Sequence, residues 1–81
     1  MKLTGDEIKW AESSSYDLKV IAHNWAKKYN HKQLRAFQSQ YADIKDRLPC
    51  NTDLNVKKRE SYQNMWQVAT WAISIEAFGV I

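Results

Sequence analysis

His23, His31 and Cys50 are the side chains in this sequence best suited to ligate a metal or attack an electrophile. A zinc-type site needs several such ligands at convergent spacing. The two histidines are eight residues apart, Cys50 follows Pro49, and no pair falls at ligand spacing. A nucleophilic site needs a base beside the nucleophile and a group that orients the base. Neither histidine neighbours Cys50 in sequence. The carboxylates Asp43 and Asp46 stand beside Lys45 and Arg47, as in a solvated polar face. There is no glycine-rich loop to cradle a phosphate. The residues therefore predict no catalytic centre, no metal site and no cofactor.

Two basic clusters offer a different chemistry. Lys27, Lys28, Lys32 and Arg35, with His31 among them, surround Asn30, and Lys57, Lys58 and Arg59 follow at the start of a later segment. Lysine and arginine neutralise phosphates, and base reading calls for Arg, Asn and Gln on an exposed face. Gln33, Arg35, Gln38 and Gln40 supply that pattern weakly, and no glycine of the helix-turn-helix type precedes them. The net charge of +3 and a pI near 9.1 allow nucleic-acid contact and are equally ordinary for solubility. The clusters are thus candidates for contact with nucleic acid or an acidic partner.

The third chemistry is aromatic. Four Trp, four Tyr and two Phe are many for 81 residues, and Trp and Tyr are the side chains of binding hot spots. Trp10, Tyr16 and Trp71 fall off the main heptad faces, Tyr16 being aligned with Val20 and His23 and Trp71 lying on the second stripe of the last helix. These three are the candidate protein-binding residues.

The elements that must position these groups are helical. Gly and Pro number only two and one, and no run alternates apolar and polar residues between turn signals. A first helix is expected over about residues 5–29. Thr4 and Glu7 form a capping-box pattern, and Ile8, Ala11, Ser15, Leu18, Ala22, Trp25 and Tyr29 recur at heptad-like spacing. The run Ser13-Ser14-Ser15 competes for backbone hydrogen bonds and is the place where this helix would kink or break. A second helix, about 31–48, starts at Asn30 with Gln33 in the reciprocal capping position. It carries the stripe Leu34, Phe37, Tyr41, Ile44 and Leu48 and stops at Pro49. A third, about 55–78, ends at Gly79. It bears two apolar stripes, Tyr62-Met65-Trp66-Ala69-Ala72-Ile73 and Val68-Trp71-Ile75-Phe78, separated by the polar Gln63, Gln67, Thr70 and Ser74.

Together these segments predict an all-α, compact three-helix bundle in one domain spanning residues 1–81. A helix apolar nearly all round is covered on more than one side. The second stripe of the third helix must therefore meet an intramolecular neighbour, a partner protein or a second copy in a homodimer. The lone cysteine suits a reducing cytoplasm. No apolar run of signal-peptide length follows Met1-Lys2-Leu3-Thr4-Gly5-Asp6. The apolar-rich stretch Val68–Ile81 is shorter than the roughly 20 residues that span a bilayer. The functional expectation is a non-enzymatic protein-binding module, a regulator or inhibitor of a larger macromolecular complex. On size and composition alone, small phage or mobile-element proteins such as anti-CRISPR inhibitors are one class of that kind. The alternative expectation is a small basic DNA- or RNA-binding regulator.

Overall fold

Four helices carry the chain in a computed structural model that describes residues 2–79. They are α1 (Gly5–Glu12), α2 (Ser15–Lys28), α3 (His31–Arg47) and α4 (Asp53–Phe78). No strand occurs among the described residues. The all-α expectation holds; the three-helix bundle and the single first helix over 5–29 do not. Val80 and Ile81, the end of the apolar-rich stretch, lie outside the described residues.

The serine run explains the correction. The Ser13 hydroxyl donates to the Lys9 carbonyl (2.7 Å), and Ser13 is extended at ψ 135°. Ser14 then caps a new helix. Its hydroxyl oxygen accepts from the Asp17 amide (3.2 Å), and the Asp17 carboxylate accepts from the Ser14 amide (3.4 Å). One serine thus closes α1 and the next opens α2, each by the local side-chain bond that makes serine a poor interior helix residue. The break also uncouples the two helical phases. Ile8, placed on the apolar stripe by a continuous helix, is exposed, and Glu7 is buried instead.

α4 is the helix on which the others pack. At about 1.5 Å per residue its 26 residues span about 39 Å, which matches the 38 Å long axis of the molecule. α3 runs antiparallel to it. The pairs His31–Glu76, Gln38–Thr70 and Lys45–Gln63, at 3.1, 3.0 and 2.8 Å, follow one another in opposite chain directions. α1 is tied to the other side of α4. Lys58 Nζ lies 3.9 Å from the Glu7 carboxylate, and Asn64 Nδ2 donates to the Trp10 carbonyl (2.6 Å). α2 lays Leu18 and Ala22 on Val68, with Ile21, Trp71 and Ile75 packed around them.

Both stripes of α4 are therefore covered inside the chain over most of their length. The polar strip between them helps hold α3, through Gln63 and Thr70. Phe78, at the end of the second stripe, is the exception and is 80% exposed. α2 and α3 share little backbone contact. Rings fill the space between them, with Trp25 at 5.5 Å and Tyr29 at 4.9 Å from Phe37. The series continues from Trp25 to Trp10 (5.8 Å) and from Tyr41 to Tyr62 (6.3 Å).

Two substitutions test this packing. Leu34 is fully buried, so Leu34→Ala should lower the unfolding free energy in urea by about 3 kcal/mol. Ser61 is also fully buried on α4, and its hydroxyl has no hydrogen-bond partner. Such a group costs about 1–3 kcal/mol to bury, and alanine is the better helix former. Ser61→Ala should therefore raise the urea midpoint. A lowered midpoint would mean that the hydroxyl is satisfied.

Candidate functional site

The break between α1 and α2 creates an elbow. A groove of about 650 Å³ runs along it, lined by Lys9, Glu12, Ser13, Tyr16, Val20 and Ile21, with Asp17 at its edge. Tyr16 is 75% exposed and Val20 44% exposed. At 100° per residue, Tyr16, Val20, His23 and Lys27 follow one line along α2, opposite Leu18 and Ala22. All four are exposed. This outer face is rigidly presented because the inner face is fixed on Val68.

Of the three aromatic candidates, the fold takes up two. Trp10 meets Trp25 edge-on and packs on the Leu18–Ala22–Val68 cluster. Trp71 packs on the same cluster beneath Lys19, whose ammonium lies 5.9 Å from the ring centre. Tyr16 alone projects into solvent. The α4 stripe that pointed to a partner or a homodimer is occupied by α2, leaving Phe78 as its exposed remnant.

The two basic clusters lie far apart. His31, bonded to Glu76, marks one end of the molecule, which we term the apex; Lys57 lies 19 residues before Glu76 on α4, about 28 Å away. Lys27, Lys28, Lys32 and Arg35 are all exposed at the apex, and none is in an ion pair among the described residues. At the opposite end, Lys58 is engaged with Glu7. The Arg59 guanidinium donates to Cys50 Sγ (2.7 Å), which leaves Lys57 as the exposed cation of that trio. A further feature separates the ends. From Leu18 to Ala42 the sequence contains no Asp or Glu, while Lys19, His23, Lys27, Lys28, His31, Lys32 and Arg35 all fall within it. Sequence reading by clusters missed this acid-free segment, although a simple scan for carboxylates finds it.

The groups suited to catalysis are dispersed. His23 stands on the outer face of α2, and His31 is held by Glu76. Cys50 sits by Arg59, 17 residues before Glu76 along α4, or about 25 Å away. A shallow pocket of about 250 Å³ beside Cys50 is lined by Lys45, Val56, Arg59, Glu60 and Gln63. No group of three or more His, Cys, Asp or Glu converges among the described residues. No helix among them is long and apolar enough to cross a membrane.

One buried polar cluster serves the fold. Glu7 accepts from the Thr4 amide (3.0 Å) as half of a capping box, while it also faces Lys58 and Tyr62. Burial, then the charge of Glu7 and the hydrogen bond to it, hold the Tyr62 hydroxyl above the usual phenol range. Tyr41 is raised as well, first by burial and then by the neighbouring Tyr29 and Tyr62. The chain matches no family model, no curated protein and no solved structure.

The tyrosines give a pH prediction. A raised phenol means that the folded state holds the proton more tightly than the unfolded state, whose value is 10.0. Their contribution to stability is complete below pH 10 and is lost as pH rises through the folded values. Urea midpoints should fall above pH 10 in the wild type and fall less in Tyr41→Phe/Tyr62→Phe. Equal losses in both proteins would remove these two phenols as the cause.

Proposed function

We propose that this chain is a non-enzymatic binding module that regulates or inhibits a larger macromolecular complex, docking through the elbow groove and the outer face of α2. The observation that carries the reading is Tyr16, a large aromatic side chain left 75% exposed at a groove while the other candidate aromatics are packed inside. Tyrosine offers much contact area at low entropic cost, and its hydroxyl tolerates water until a partner arrives. Val20 and Ile21 extend the apolar centre. Lys9, Glu12 and Asp17 make a charged rim, the arrangement typical of protein interfaces.

The non-enzymatic reading draws on the dispersal of His23, His31 and Cys50 to separate places in the fold. Cys50, exposed and without a second cysteine to pair with, suits a reducing cytoplasm. The partner at the elbow is a protein with a small apolar recess into which one ring fits.

Tyr16→Ala, compared with wild type, tests the reading by affinity capture from a lysate of the native host. Truncating a hot-spot tyrosine costs about 2 kcal/mol, roughly thirtyfold in affinity. The co-purifying partner should be lost, with helical circular dichroism and thermal midpoint unchanged. Full retention of the partner by this variant would exclude the elbow as the docking face.

A further inference from the structure

We propose that the α2–α3 apex is a phosphate-backbone contact surface for duplex nucleic acid, separate from the elbow and independent of the reading given for it. Four observations carry it. Lys27, Lys28, Lys32 and Arg35 are exposed and none is in an ion pair among the described residues. The chain from Leu18 to Ala42 contributes no carboxylate. Glu76, the acidic residue that α4 brings to this end, is hydrogen-bonded to His31 at 3.1 Å rather than to any of the four cations. Lys32 and Arg35, three residues apart on α3, present neighbouring charges on one face.

The composition of the patch selects nucleic acid over an acidic protein. Protein interfaces have an apolar or aromatic centre depleted in charge. Nucleic-acid interfaces are more polar and far more positively charged. The exposed large apolar side chains among the described residues are Ile8, Tyr16, Val20, Val56 and Phe78, and none lies between residues 24 and 36. Phe78 is near this end but stands about 200° round α4 from Glu76. Tyr29, the aromatic residue within the patch, is half-buried and engaged with Phe37, with the Lys28 ammonium 5.3 Å from its ring centre, so the patch offers charge with no fully exposed apolar anchor. Because no side chain on it is held by a second group for base reading, contact is with the backbone and tolerates any sequence.

The cluster at the other end does not share this property. Lys58 is paired with Glu7 and half-buried, and Arg59 is half-buried against Cys50, so Lys57 is the one fully exposed cation of that trio. The surface is confined to one end of the molecule, and the seven basic residues grouped by sequence do not act together.

The test is a salt titration of binding to a fluorescently labelled duplex of random sequence. With four phosphates neutralised, affinity should fall about 150-fold between about 50 and 200 mM salt, following a log–log slope of roughly −3.6. In Lys32→Gln/Arg35→Gln the slope should flatten to roughly −1.8, so that the same change of salt costs only about twelvefold. Should the double variant lose its helical signal, Lys32→Gln alone should flatten the slope by roughly 0.9. Lys57→Gln should leave it unchanged, and polyglutamate at equal charge should not displace the duplex. The proposal is overturned by no binding at the lowest salt, by a Lys57→Gln effect as large as that of the apex variants, or by displacement with polyglutamate, which would mark the apex as a site for acidic protein.

Discussion

Every other helix depends on α4. α3 is registered on it by polar pairs, α1 is tied to it at both ends, and α2 rests Leu18 and Ala22 on Val68. Close approach is possible because the positions facing inward on α4 are small: Ser61, Val68, Ala69 and Ala72 are all fully buried. Small residues at the axis let three elements meet one helix, but they fill little volume. The missing volume comes from rings that reach in from the flanks. This accounts for the high aromatic content, since a short chain with few fully buried positions needs large side chains to cover its apolar surface. It also explains why α2 and α3 can share little backbone contact and still belong to one core.

The fold was mostly legible because the signals that define helices are local. Thr4 with Glu7 and Asn30 with Gln33 do form reciprocal caps, Pro49 follows the end of α3, and Gly79 ends α4 in the left-handed region at φ 78°. The break in the first helix was legible as a weakness at Ser13–Ser15 and illegible as a certainty. Whether serine interrupts a helix depends on whether the chain gains by turning there. Ser14 with Asp17 repeats the spacing of a capping box with the shorter acid, and that pair tips the balance.

The candidate sites were less legible, because exposure is a property of packing and not of pattern. Trp10, Tyr16 and Trp71 look alike by sequence, each lying off the main heptad face of its helix. What separates them is which helix lies above: α2 covers Trp71, Trp25 meets Trp10, and among the described residues nothing crosses Tyr16. The two basic clusters likewise look equivalent as strings. They differ because Glu7, distant in sequence, comes to lie against Lys58, and Arg59 is drawn against Cys50. A charge run becomes a surface where the fold leaves its cations exposed and unpaired.

α2 joins the two surfaces. Its outer face begins with Tyr16 beside the groove and ends with Lys27 at the apex, 11 residues on, or about 16 Å along the helix. An apolar contact and a cationic contact thus sit on one stiff rod whose inner face is locked into the core. For a partner that met both patches, rigid linkage would make the second contact an intramolecular step at high effective concentration. The field of the apex would also steer an oppositely charged partner before the short-range fit of Tyr16 came into play. Were both proposals to hold for one partner, its apolar recess would lie about three helical turns from a phosphate backbone, a spacing set by the length of α2 between Tyr16 and Lys27.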